Sequence, residues 1–222
     1  MKNNLLRENW LLILVNLLPV YGVWFLGWSA TDVFIVYALE TILVGFITIM
    51  KLLVATLFKG SDEWYNNNQV SRMSGFFFIF FFIVHYGLFV AVQTSIFAEV
   101  AEINPPHSGL LYFTFHWWKF IHDDTALMLG AFAAGYMARS FIPFLRKAEY
   151  KTTPMMILMF EPYGRIFIQQ ITVILGSMFL SFGMGKVFVL IFALAKIFFE
   201  VYINFNRILN KTMRDLKQSG KQ

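Results

Sequence analysis

The sequence predicts an all-α membrane protein, a six transmembrane helix bundle in one polytopic domain over residues 1–222. Two compositional facts and one pattern predict it. Hydrophobic residues make up 58% of the chain and only 14% are charged. A soluble domain carries about a quarter charged residues, so this chain has too little charge to coat a water-facing surface. Aromatic residues reach 19%. Apolar runs of the ~20 residues needed to cross hydrocarbon recur along the chain, and they are continuous rather than alternating, which favours helices over barrel strands. A soluble enzyme, a disordered regulator and a nucleic-acid module are excluded. Cysteine is absent, which removes disulfides, iron–sulfur clusters and thiol nucleophiles.

The spans are expected at about 10–28, 33–58, 75–97, 125–145, 164–182 and 185–205. The first follows Lys2 and Arg7 and is read as a retained helix rather than a signal peptide. Gly27-Trp28-Ser29 is a poor cleavage site, and Asn16 and Pro19 interrupt the apolar run. With the N-terminus inside, all 18 lysines and arginines except Lys119, Lys186 and Lys196 fall on the cytoplasmic side. The positive-inside rule then places both termini in the cytoplasm, and the membrane expected for the chain is the cell inner (plasma) membrane. That asymmetry accounts for the net charge of +5. The partner it implies is the lipid bilayer, and no nucleic acid is needed.

Three connections carry content. Residues 59–74 read as a polar cytoplasmic loop. In 98–124, Pro105-Pro106 breaks any helix, and Ser108 is expected to cap a segment from Gly109 to Ile121. Its tyrosine and tryptophans suit an outer interfacial helix. Asp123 and Asp124 then cap the fourth span. In 146–163, Thr153-Pro154 opens and Glu161-Pro162 closes a short inner-leaflet helix, Met155 to Phe160, too short to span. Gly130, Ala134 and Ala138 form a small-residue stripe in the fourth span. Internal packing is its first reading and a homo-oligomer contact its second.

Ionisable groups in lipid cost ~2.5–3.5 kcal/mol at a helix centre and usually face the protein interior. Glu40 lies about two turns into the second span, and Lys51, on the same face, is placed to snorkel towards the cytoplasm. His85 sits ~15 Å into the third span. Arg165 and Gln169 share a face of the fifth. Lys196 and Glu200 share a face of the sixth at i, i+4. The candidate site is an intramembrane polar core of Glu40, His85, Arg165, Gln169, Lys196 and Glu200. The competing reading is a set of paired structural locks. No metal site is expected, since His107, His116 and His122 with Asp123 and Asp124 lack metal-ligand spacing. No haem or nucleotide motif occurs, so no cofactor is expected, and no catalytic residue is assigned.

Several motifs occur together: Gly27-Trp28-Ser29, Tyr37-Ala38-Leu39-Glu40, Gly45-Phe46 with Lys51, His85-Tyr86-Gly87, Pro162-Tyr163-Gly164-Arg165-Ile166, Ile174-Leu175-Gly176, and Lys196. In this order the chain resembles an uncharacterised bacterial and archaeal multi-pass membrane family, a domain of unknown function, from roughly Leu11 to Glu200. The resemblance implies that an acidic residue at Glu40, a histidine at His85 and an arginine at Arg165 recur. It also implies a histidine near Gln169 or Gln170, where this chain has glutamine. That departure weakens any two-histidine metal or haem site. The resemblance implies no established activity.

The function expected from these residues is to transport or bind an ion, proton or small polar solute. Glu40 would be the exchanging group, His85 and Lys196 would tune it, and Arg165 with Glu200 would form a cytoplasmic gate. Glu40→Gln is then expected to abolish transport and leave folding intact. Two alternatives stand beside it. One is a membrane-embedded enzyme acting on a lipid or quinone headgroup, with His85 as base and Glu40 or Glu200 as acid. The other is a structural or assembly subunit without chemistry.

Overall fold

The computed structural model describes residues 10–66, 69–100, 102–109, 111–164, 166, 175, 179, 182–202 and 211. Helix α1 is Trp10–Tyr21, extended by a π turn, Gly22–Leu26. Helix α2 is Ala30–Lys59. Strands β1, Ser61–Asn66, and β2, Gln69–Ser74, precede helix α3, Gly75–Val100. Helix α4 is Tyr112–Phe115, followed by a 3-10 turn, Trp117–Phe120. Helix α5, Asp123–Tyr136, continues through a π turn, Met137–Phe141, into α6, Ile142–Arg146. Short helices α7, Glu149–Thr152, and α8, Met155–Phe160, and the long helix α9, Gly185–Tyr202, complete the described elements.

Among the described residues, three helices are long and apolar enough to cross a membrane: Ala30–Lys59, Gly75–Glu99 and Asp123–Arg146. They coincide with the expected second, third and fourth spans. Trp10–Leu26 is apolar but shorter. Helix α9 has 18 residues, with Lys186, Lys196 and Glu200 among them. Most of the expected fifth span lies outside the described residues. Helix α3 exposes Phe76, Phe80, Val84 and Leu88, an apolar face suited to hydrocarbon.

The chain forms two compact units. The first gathers Met1–Leu43, Phe89–Gly135 and Ile166–Ile203. Its core is aromatic. Phe34 stacks on Phe188 with centroids 5.3 Å apart, and Tyr37 meets the edge of Phe192 at 4.4 Å. Helix α9 packs against α1. Gly27, at φ 74°, closes the π turn in the left-handed region that glycine tolerates, and Trp28 folds back so that its ring covers Gly22. The Gly27-Trp28 motif is therefore a turn device.

The outer segment differs from the single helix expected from Gly109 to Ile121. It makes two short turns broken at His116, where φ is −130°. Phe113 is fully buried between Phe97 and Phe120, and Thr114 Oγ1 lies 2.7 Å from Thr94 Oγ1. Docking the Phe113 side chain takes precedence over helix continuity. At the start of α5, the hydroxyl of Thr125 accepts the His122 N–H at 2.7 Å, while Asp123 and Asp124 occupy the first turn. Gly130, Ala134 and Ala138 are exposed rather than packed, and it is Gly135 that lies against Val15.

The second unit gathers Val44–Leu88, Tyr136–Arg165 and Asn204–Gln222. Its 59–74 connection is an antiparallel hairpin, not a loop, with Ser61 opposite Ser74 and Asn66 opposite Gln69. Trp64 fixes it by packing on Phe77, Phe78 and Phe81. A side chain on Gly45 would sit 2.6 Å from the Tyr86 ring, so this glycine lets α2 and α3 approach closely. Pro143 has no N–H to donate to the turn before it, and the wider π turn Met137–Phe141 immediately precedes α6. Helix α8 forms as the sequence predicts, with Met155, Met156, Ile157, Leu158 and Met159 all buried.

Candidate binding site

The site in the second unit is built around Lys51. Its Nζ lies 2.9 Å from Glu161 Oε2, directly after α8. The lysine side chain is 7% exposed and the glutamate 26%. Lys51 therefore does not snorkel to water. Its ammonium is desolvated beside the Phe144 ring, 5.6 Å from the centroid, and the glutamate supplies the counter-charge.

A cavity of about 470 Å³ opens beside this pair. Arg139 and Lys147 add two cations to its lining and Glu149 a second carboxylate, with hydroxyls from Ser140 and Thr153. Pro143, Ile157 and Leu158 form an apolar wall. A narrower cleft lined by Thr48, Lys51, Tyr136 and Glu161 adjoins the same ion pair.

The wall is held by a second polar cluster. Lys59 Nζ donates to Asp62 Oδ2 at 2.8 Å and to the Thr153 carbonyl at 2.7 Å. Asp62 Oδ2 also accepts the Met155 N–H at 2.9 Å. Burial alone would raise the Asp62 pKa. The hydrogen bonds from Lys59, Met155 and Glu63 outweigh it and hold the carboxyl below its usual value. The root of the hairpin thus clamps the start of α8, and α8 in turn positions Glu161.

His85 belongs to this unit too. Its Nδ1 lies 2.7 Å from the Tyr163 hydroxyl. Burial pushes the Tyr163 phenol up to about 12, so the hydroxyl keeps its proton near neutral pH, and the tautomer of His85 sets which of the two groups donates. Phe81 stacks on the imidazole at 5.3 Å.

Glu40 and Lys196 lie in the first unit and form a bidentate ion pair. Their side chains are 1% and 6% exposed. Lys196 Nζ sits 4.4 Å from the Phe132 centroid and 5.1 Å from that of Tyr37. Of the six expected core residues, the structure brings these two together. Arg165, Gln169 and the side chain of Glu200 lie outside the described residues. Among the described residues no group of three or more His, Asp or Glu is arranged to hold a metal ion.

Sequence reasoning missed Glu161 as a site residue and Tyr163 as the partner of His85. The signal for Glu161 was a carboxylate directly following a short, wholly apolar helix. Asp62 and Lys59 were hidden in what read as a loop.

A sequence-family model described as a family of unknown function (DUF6498) matches residues 2–218, and the chain belongs to that family. No curated protein and no solved structure matches it.

Proposed function

We propose that this member of DUF6498 is a multi-pass protein of the inner (plasma) membrane, with both termini cytoplasmic, that binds and moves a small polar solute or ion through the site beside Lys51. The observation that carries the reading is the 470 Å³ cavity whose wall holds the Lys51–Glu161 pair. A lysine from a membrane-length helix is costly to keep charged in lipid and is retained where it has a partner or a task. Here its partner comes from a different segment and is itself partly accessible, so a solute can compete for either charge. In this reading Glu40 and Lys196 act as a fixed counterion pair in the first unit.

The test is flux. Protein reconstituted in liposomes is loaded with labelled small ions and polar solutes, and counterflow is compared between the native chain and Lys51→Met. Solute movement that depends on Lys51 supports the proposal. Absence of movement and of binding for every class, with Lys51→Met folded and unchanged, overturns it.

The His85–Tyr163 pair favours one further reading, headgroup chemistry, because the bond at Nδ1 fixes the imidazole, and when Nδ1 donates to the tyrosine oxygen the Nε2 lone pair is a base. New lipid or quinone products on incubation, lost in His85→Gln, would select it over transport.

A further inference from the structure

We propose that the cavity of the second unit takes a phosphate-bearing anion, with Lys51, Arg139 and Lys147 receiving its oxygens. The proposal rests on the binding reading above and names the ligand chemistry of that same site. Three features argue for it.

The first is donor count. Three cations and the hydroxyls of Ser140 and Thr153 line one cavity, against two carboxylates. A phosphoryl group presents its oxygens in a tetrahedral array, two of which the planar fork of an arginine matches at once while a lysine ammonium meets the charge. The cavity charges sum to one net positive, which a phosphodiester or singly charged phosphate balances.

The second is exchange. Lys51 is held, at 7% exposure, while Glu161 is 26% exposed. An incoming anion therefore replaces the glutamate oxygens at a lysine that is already desolvated and positioned. Glu161 serves as the resident counterion that the ligand displaces.

The third is shape. The cavity is larger than a phosphate group alone requires, and its remaining wall is Pro143, Ile157 and Leu158. That wall fits an apolar or glyceryl substituent on the phosphate. Basic pockets beside membrane helices on the cytoplasmic side suit anionic lipid heads, and a soluble phosphate ester offers the same oxygens.

The experiment uses the full chain in a phosphate-free maltoside detergent, with thermal unfolding read against ligand concentration. One arm adds inorganic phosphate or glycerol phosphate. Another adds phosphatidylglycerol or, as its phosphate-free counterpart, diacylglycerol. Controls are acetate, a neutral sugar and sodium ion. Saturable stabilisation by a phosphate compound is expected, weakened at high salt and by about tenfold in affinity in Arg139→Gln. Stabilisation by phosphatidylglycerol and not by glycerol phosphate would assign the source to a lipid head; the reverse would assign a soluble ester. Binding of acetate, sugar or sodium in a Lys51-dependent way, with no response to any phosphate compound, overturns this proposal and leaves the binding site standing. No response to any ligand removes both. If Lys51→Met does not fold, the exposed pair Arg139→Gln and Lys147→Gln carries the test, and unchanged phosphate affinity in that double variant overturns the assignment.

Discussion

Among the described residues, each unit holds a lysine–glutamate pair made between segments far apart in the chain, and the two pairs differ in access rather than chemistry. Lys196–Glu40 is closed: both side chains are almost fully buried, and two aromatic rings face the ammonium. Lys51–Glu161 has one closed partner and one that reaches a cavity. A desolvated charge with a fixed partner is a structural commitment, because neither member can leave without stranding the other. A desolvated charge whose partner is partly wet can trade that partner for something else. The difference in accessibility therefore divides a lock from a working pair.

The sharpest way to break this division is at the closed pair. Glu40→Gln leaves Lys196 buried without a counter-charge and is expected to cost about 3–5 kcal/mol, enough to abolish the folded state of a marginal protein. Glu40→Leu combined with Lys196→Met removes both charges and is expected to restore stability to the native level or above it. Thermal unfolding in detergent measures both. A folded, stable Glu40→Gln that loses flux would instead make Glu40 the exchanging group and erase the distinction.

The open pair is expected to answer differently. Glu161→Gln leaves Lys51 next to a cavity that water can enter, so the expected loss is ~1 kcal/mol, well below that at Glu40. Because Glu161 competes with any anion for Lys51, the same substitution is expected to tighten phosphate binding by roughly tenfold, equivalent to ~1.4 kcal/mol. Weaker binding in Glu161→Gln would mean that the glutamate helps hold the ligand instead of yielding to it.

The clamp that positions Glu161 gives a pH test. Asp62 has a folded-state pKa below its usual 3.8, so its stabilisation is present above that value and is lost as pH falls through the lower folded-state pKa. Asp62→Asn weakens the bonds from Lys59 and Met155 at every pH, at a cost of about 1–2 kcal/mol. It is also expected to flatten the acid limb of the stability curve. Acid titration of unfolding in the two proteins measures this, and equal acid limbs would remove Asp62 from the clamp.

Helix positions were legible in the sequence where length and apolarity sufficed. The limits of α2, α3 and α8 follow from continuous apolar runs and from Thr153-Pro154 and Glu161-Pro162. The hairpin was not, because Trp64 is a lone apolar anchor among polar residues and its partners Phe77, Phe78 and Phe81 belong to a helix. The expected outer helix failed for a related reason: burial of Phe113 is a tertiary fact that a composition rich in Trp and Tyr does not reveal. Of the candidate site, the need of Lys196 for an internal partner was legible. Its place in one polar core with Glu40 was legible too, but the direct ion pair between them was not, since i, i+4 spacing put Glu200 on the face of Lys196 and 156 residues separate Lys196 from Glu40. Pairing across such distances is set by packing, not by spacing.

The smallest expected effect sharpens the comparison from the other side of Glu161. Tyr163 lies two residues beyond it and ties this stretch to α3 through His85. Tyr163→Phe keeps the ring contacts with Tyr86 and Phe160 but removes the hydroxyl, so the expected loss is ~1 kcal/mol or less. The specific readouts lie elsewhere. With the hydroxyl gone, Nδ1 of His85 loses this bond, and nitrogen NMR of the imidazole is expected to show a shifted tautomer balance. Because burial raises the phenol from 10.0 to about 12, the native chain is expected to lose stability as pH climbs through that interval, the unfolded phenol ionising first. In Tyr163→Phe this part of the alkaline decline disappears. If the tautomer moves and phosphate affinity holds, His85–Tyr163 is a brace for the segment carrying Glu161. If affinity falls with little loss of stability, the brace sets the position of the open pair, and access to Lys51 is governed from both ends of the 155–163 segment.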